Sequence, residues 1–225
     1  MNCIPASFLR LGILLLVFTF WGCSGTGVEP DRSTSDIIVG WGDSLTEGVG
    51  GTPYLVELER LSGYKTINQG IAGQTSKQIA ERMLADKEKH SYNTIIWVGR
   101  NNYLEPDQIK ADIASMVKVL GHSRYLVLSI INGHNGPAEQ VFGLNHKAIT
   151  QLNNDLYQTY GDHYVNVHAY LLSKYDPTSM ADIIDHTDDV VPASLRADEL
   201  HLNSKGYALV AERINQSINI LTNKK

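Results

Sequence analysis

The sequence predicts an α/β fold, a five-stranded parallel sheet with helices on both faces. Three observations carry this reading. From Asp36 onward, apolar strand-like runs alternate with helix-period segments, the signature of repeated strand–helix units around one sheet. The run 125–131 is apolar throughout, as expected of a parallel strand covered on both sides. The chain has 225 residues, enough for one such domain and marginal for two.

The elements follow in order. Residues 36–41 read as a buried first strand, running into Trp41-Gly42-Asp43-Ser44-Leu45-Thr46-Glu47-Gly48 as a loop. Residues 53–61 form a helix with Leu55, Leu58 and Leu61 on one face, ended by Gly63. Residues 64–68 are a second strand, and 69–73 a glycine-containing loop in which Gly70 reads as a turn former. Thr75 or Ser76 caps the next helix, which carries Ile79 and Met83. Residues 93–98 are a third strand. Pro106 opens a helix whose stripe is Ile109, Ile113, Met116, Val117 and Leu120, with Gly121 as its stop. The fourth strand, 125–131, leads into the loop 132–137 and a long helix with Ile149, Leu152, Leu156 and Tyr160 on one face. Residues 163–170 are expected as the fifth strand. The stretch 172–197 is irregular, with a short helix near 180–184. A final helix from about Asn203 places Tyr207, Val210, Ala211, Ile214, Ile218 and Leu221 on one face.

The amino terminus is set aside from the fold. Arg10 precedes the apolar run 11–21, too short for a comfortable membrane span and suited to a secretory signal. It ends in Gly22-Cys23, which resembles a bacterial lipoprotein processing site. Residues 1–22 are therefore expected to be a signal peptide and Cys23 a lipidated first residue. Residues 23–35 would then be a tether and 36–225 the domain. The bulky Phe20 and Trp21 depart from the usual motif. Both cysteines, Cys3 and Cys23, fall outside 36–225, so the expected domain has no internal disulfide. Hydrophobic residues make up 43% and charged residues 19%, with a net charge of -5. That balance fits a packed domain and gives nucleic acid no basic patch to bind.

Four stretches fall at the carboxyl ends of expected strands or just before the last helix: Gly42-Asp43-Ser44-Leu45, Asn68-Gln69-Gly70-Ile71-Ala72-Gly73, Gly99-Arg100-Asn101-Asn102 and Asp198-Glu199-Leu200-His201. Open α/β sheets place their sites at that edge. Serine is a poor nucleophile at its free pKa and needs a base. Ser44 offers the hydroxyl, His201 a base, and Asp198, three residues earlier, a carboxylate to orient the ring. The Ser44 and Gly73 backbone N–H groups and the Asn101 amide are candidate oxyanion donors, each typically worth roughly 3–4 kcal/mol of barrier.

These blocks, in this order, resemble those of the GDSL, or SGNH, hydrolase family over residues 37–214. The resemblance implies a flavodoxin-like three-layer α/β/α sandwich and metal-free hydrolysis of esters or thioesters. It implies Ser44 as nucleophile, Asp198 and His201 as acid and base, and Ser44, Gly73 and Asn101 as oxyanion hole. No cofactor is expected. The third block usually reads G-x-N-D, so Asn102 stands where an acid is usual, and Leu202 replaces a frequent proline. Ser44 does not lie in G-x-S-x-G, which argues against the standard α/β-hydrolase fold. The expected function is a serine esterase for carbohydrate O-acetyl or other short acyl esters. Lysophospholipase or thioesterase activity, acyl transfer and a non-catalytic envelope binding protein stay open as alternatives. Its place is the cell envelope, on the membrane through Cys23.

Several residues have a structural reading beside a functional one. Trp41, Tyr54 and Tyr103 flank the motif loops and either line a cleft or pack in the core. Asp185, His186, Asp188 and Asp189 invite a metal reading, but their spacing is loose and metal is not expected. His134 reads as a surface loop residue, and His163 and His168 as facing opposite sides of the fifth strand.

Overall fold

The computed structural model describes residues 36–222. The expected signal peptide, the lipidation of Cys23 and the tether 23–35 lie outside the described residues. Five strands form one parallel sheet: β1 (Ile37–Gly42), β2 (Lys65–Gly70), β3 (Asn93–Trp97), β4 (Tyr125–Leu128) and β5 (Tyr164–Val165), in the order β2-β1-β3-β4-β5. Between and after them come α1 (Ser44–Glu47), α2 (Tyr54–Ser62), α3 (Ser76–Ala85), α4 (Pro106–Leu120), α5 (Leu144–Tyr160), α6 (Val167–Leu172), α7 (Met180–Thr187), α8 (Ser204–Asn215) and α9 (Ile218–Thr222).

Strand alternation divides the core into two layers. Ile38, Ile95, Trp97, Leu126 and Leu128 face one side and pack with residues of α2, α6, α8 and α9. Val39, Trp41, Ile96, Val98 and Val127 face the other, against α3, α4 and α5. Because both faces are covered, β1, β3 and β4 are buried along most of their length, whereas the edge strand β2 is polar and partly exposed. The fold is thus the expected three-layer α/β/α sandwich. No described helix is long and apolar enough to cross a membrane.

Three elements differ from expectation. The fifth strand is only Tyr164–Val165. Asn166 then accepts the Ala169 N–H on its side chain and starts α6, burying Val167 and Leu171. The four-residue spacing of those two is helical, a signal that the short apolar alternation hid. The fourth strand ends at Leu128, three residues early. There the Asn153 side chain takes over the ladder, accepting the Ile130 N–H and donating to its carbonyl at 2.8 Å each. The last helix breaks at Gln216 and Ser217 into α8 and α9.

Candidate active site

The stretch after β1 is not an open loop but the single turn α1. Asp43 precedes it and accepts the Leu45 N–H at 3.0 Å, so the first residue of the turn is Ser44. The turn folds back tightly on its own strand: a Cβ at Gly42 would lie 2.0 Å from Thr46 Oγ1 and 2.5 Å from the Trp97 carbonyl. Gly70 is not a turn former. It ends β2 against the same turn, where a Cβ would lie 2.1 Å from the Glu47 nitrogen. Two glycines on neighbouring strands thus set where Ser44 sits.

His201 approaches from the loop before α8. Its Nε2 lies 3.0 Å from Ser44 Oγ and its Nδ1 2.7 Å from Asp198 Oδ2. A carboxylate only accepts, so the proton belongs on Nδ1, leaving Nε2 free to accept from the serine. The Asp198 Oδ1 accepts the N–H groups of Leu200 at 2.8 Å and His201 at 2.7 Å. Partial burial pushes the Asp198 carboxyl up. Those two N–H groups and the His201 ring more than offset this and bring it down to about 2. Asp198 therefore stays ionised and orients the imidazole.

The loop itself is braced. Arg196 and Leu202 form an antiparallel bridge across it, and the Ala197 N–H donates to the His201 carbonyl at 2.8 Å. Arg196 also pairs with buried Asp185 at 2.7 Å, and Asp185 meets His134 at 3.1 Å. Asp189 pairs with His146 at 2.7 Å. These acids are thus engaged in structural pairs, and the described residues hold no group of three or more His, Cys, Asp or Glu fit for a metal ion.

The candidate oxyanion donors belong to three segments. Among the described residues, the Ser44 and Gly73 N–H groups have no acceptor. Gly73 sits at φ +75°, a conformation glycine adopts freely. Its loop is held by Glu47, which accepts the Ala72 N–H at 2.6 Å, and by Arg82, which donates to the Gln69 carbonyl at 3.0 Å. The Asn101 amide donates to the Gln74 carbonyl at 2.9 Å and to Asp43 Oδ2 at 3.4 Å. Both its hydrogens are thus engaged, and the long contact to Asp43 is the one an oxyanion would displace.

Asn102 points the other way, into the protein. It accepts the Ser76 N–H at 3.1 Å and donates to Ser76 Oγ at 3.0 Å and to Glu105 at 3.2 Å. An acid here would face Glu105, which gives the departure from G-x-N-D a physical reason. Trp41 and Tyr54 are core residues at 1% and 0% exposure. Tyr103 lines a pocket of about 370 Å³ together with Thr75, Asn101, Leu104 and Glu105.

Sequence reasoning left two buried groups aside. Asp43 is 1% exposed. Burial pushes its carboxyl up to about 6, against the Leu45 N–H and the positive fields of Arg100 and His201. Arg100 and Glu139 form an ion pair at 2.9 Å with side chains 5% and 4% exposed. Glu139 also accepts the Gly133 N–H at 2.8 Å and the Tyr103 hydroxyl at 3.3 Å. The same loop donates the His134 N–H to the Glu199 carbonyl at 2.6 Å. The pair therefore ties the segment of Asn101 to the segment of His201. Charge type beside the third block was the only sequence hint, in Arg100; nothing in spacing pointed to Glu139.

Comparison with known proteins agrees with this fold. The GDSL-like Lipase/Acylhydrolase family matches residues 41–209, a span that holds all four blocks. Among solved structures, a G-D-S-L family protein from Desulfitobacterium hafniense is 17% identical. It aligns with a TM-score of 0.63 over 81% of this chain and 99% of its own. An acylhydrolase candidate from Bacteroides fragilis is 23% identical, with a TM-score of 0.61 over 86% and 90%. The esterase EstA from a Pseudoalteromonas species is 19% identical, with a TM-score of 0.57 over 84% and 100%. These likenesses concern the fold. A search of curated protein sequences finds no match. The family match over most of the described chain shows that this protein belongs to the GDSL-like lipase/acylhydrolase family and is a carboxylic ester hydrolase.

Proposed function

We propose that the protein is a serine esterase that works through an acyl-enzyme on Ser44. The observation that carries this is the continuous run from Asp198 to His201 to Ser44 Oγ, at 2.7 and 3.0 Å. His201 Nε2 takes the Ser44 proton as Oγ bonds to the ester carbonyl carbon. The carbonyl oxygen becomes an oxyanion facing the Ser44 and Gly73 N–H groups and the Asn101 amide. Collapse breaks the ester C–O bond, and His201 returns the proton to the leaving alcohol. A water then gives its proton to His201 as its oxygen attacks the acyl carbon. Breaking the bond to Ser44 Oγ releases the acid, and the proton returns to the serine. Asp198 stabilises the imidazolium in both halves.

Short acyl esters, carbohydrate O-acetyl groups among them, are the favoured substrates. The pocket beside Asn101 supports this reading through its lining of mixed polarity, with Leu104 and Tyr103 next to Thr75 and Glu105. An acyl chain-length series should fall from short chains to long ones. A maximum at long chains would move the reading to lipid acyl hydrolysis. The Gly22-Cys23 pattern supports export and lipid anchoring, which labelling with radioactive palmitate, abolished by Cys23→Ala, would test.

Ser44→Ala should fold and lose about three orders of magnitude or more in kcat. The Pseudoalteromonas esterase is inhibited by monoethylphosphonate, so a phosphonate probe is apt here. Labelling at Ser44 in wild type and none in Ser44→Ala is expected. Unchanged turnover in the variant sinks the scheme, and an unlabelled, inactive wild type favours the binding-protein reading.

A further inference from the structure

Beside the edge strand β5 lies a second, open cavity of about 350 Å³, lined by residues of α5, β5, α6 and α8 together with Asn166 before α6 and Asp189 after α7, and by none of the residues around Ser44. Thr150, Asn153, Asn154 and Tyr157 of α5 line it at helical spacing. They belong to the polar face of the helix, and Thr150, Asn154 and Tyr157 are exposed. The apolar face of α5, Ile149, Leu152 and Leu156, is already spent on the sheet. A separate polar stripe therefore faces the cavity.

Its polar groups are held in place yet incompletely used. Asp189 sits at φ +57°, a conformation uncommon outside glycine. Its carbonyl accepts from Asn132 at 2.6 Å and from the His168 ring at 3.1 Å, and its Oδ2 from His146 at 2.7 Å. Oδ1 is left over. Asn166 uses its side-chain oxygen to cap α6, which leaves its amide hydrogens. Arg213 spends one nitrogen on Gln216 at 3.3 Å. Among the described residues, the Asn154 amide has no hydrogen-bond partner. Beside these groups stands Tyr157, 55% exposed, with its ring edge-to-face on Tyr164 at 5.8 Å.

We propose that this cavity is a binding pocket for a neutral carbohydrate, separate from the ester-cleaving site. An apolar ligand would cover the amides, the carboxylate and the guanidinium and leave them without hydrogen-bond partners. The Asp189 and Arg213 charges offset one another, so neither an anion nor a cation is favoured. A sugar ring matches all of them: hydroxyls for Asn154, Asn166, Asp189 and Arg213, and a C–H face for the Tyr157 ring. The volume lies at the low end for small-molecule sites and suits one or two sugar rings. The pocket does not depend on the role of Ser44, and it would let the enzyme hold a glycan whose ester is cleaved elsewhere on the domain.

The test is titration of the whole protein, in the Ser44→Ala form to prevent turnover. The panel is glucose, xylose, N-acetylglucosamine and their disaccharides, followed by calorimetry and by amide shifts in NMR spectra. At least one sugar should bind saturably, shifting the amides of residues around Tyr157. Tyr157→Ala and Asn154→Ala, both at exposed positions, should each weaken binding about tenfold. In the chain with Ser44 intact, the same two changes should leave hydrolysis of a small soluble ester unchanged. No saturable binding across the panel overturns the proposal. So does binding that neither variant weakens, or shifts confined to the neighbourhood of His201.

Discussion

Glu139→Gln should destabilise the protein by about 3 kcal/mol or more. Glu139 receives Arg100 Nη2 on both carboxylate oxygens at 2.9 Å, with further donors from Gly133, Tyr103 and Asn135. Arg100 is 6% exposed, and its Nε and Nη1 have no hydrogen-bond partner among the described residues. Neutralising Glu139 leaves a buried guanidinium without a counter-charge, and removing one member of such a pair typically costs about 3–5 kcal/mol. Replacing both members with apolar groups removes that penalty, so Arg100→Met with Glu139→Leu should recover more than half of the loss. The remainder reflects the Gly133 N–H and the Tyr103 hydroxyl, at about 1 kcal/mol each. Urea unfolding of wild type, the three single variants and the Met/Leu double variant measures this directly. Because His134 of the same loop holds the Glu199 carbonyl, Glu139→Gln should also lower kcat more than it raises KM. A loss under about 1 kcal/mol in Glu139→Gln, or Met and Leu effects that simply add, would refute the reasoning.

Three further outcomes follow from the same geometry. Asp43 titrates near 3.8 when exposed and at about 6 in the fold. A raised folded value means its contribution is fully present below pH 4 and is lost as pH rises through 6, by about 3 kcal/mol. Asp43→Asn should therefore gain stability relative to wild type between pH 4 and pH 8 by that order, whereas a constant difference across the range would contradict the burial argument. Asn102→Asp removes donors to Ser76 and Glu105 and sets a carboxylate against Glu105. It should cost about 1–2 kcal/mol at neutral pH, relieved by Glu105→Gln; denaturant curves of the single and double variants decide it. Gly70→Ala drives a Cβ into the Glu47 backbone and should cost about 1–3 kcal/mol, with a fall in esterase activity because α1 must shift. Full activity and stability in that variant would show that Ser44 is not seated by this contact.

Most of the fold was legible because burial on both sheet faces writes itself into composition. The runs 37–39, 95–98 and 125–128 are apolar, and the stripe Ile109, Ile113, Met116, Leu120 has one helical reading. What escaped was local and decided by side-chain caps. Asn166 converts an apolar alternation into a helix start, and Asn153 ends a strand by bonding Ile130 from 23 residues away. Neither effect has a periodicity. Strand length at the sheet edge depends on which partner supplies the next hydrogen bond, and here a side chain supplies it.

The site divides along the same line. Ser44, Asp198 and His201, which the structure joins in one hydrogen-bonded run, could be picked out because each offers a particular functional group at a strand end or a tight turn, and the D-x-x-H spacing lets the carboxylate meet both its own loop's N–H groups and the ring. The groups that hold them were not, because their work is done across distance. Glu47 reaches 25 residues to the loop of Gly73. Glu139 reaches 39 to Arg100. Buried charges such as these can be paired only by a fold already formed, so no local pattern announces them. Asp43 is the instructive case. Its neighbour Ser44 suggested chemistry, yet its carboxylate caps one turn and touches Asn101 at 3.4 Å. Its burial, not its position in the motif, sets its charge near neutral pH. Adjacency in sequence placed Asp43 next to Ser44, while the three-dimensional packing made it a brace for the turn of Ser44 and for the Asn101 amide.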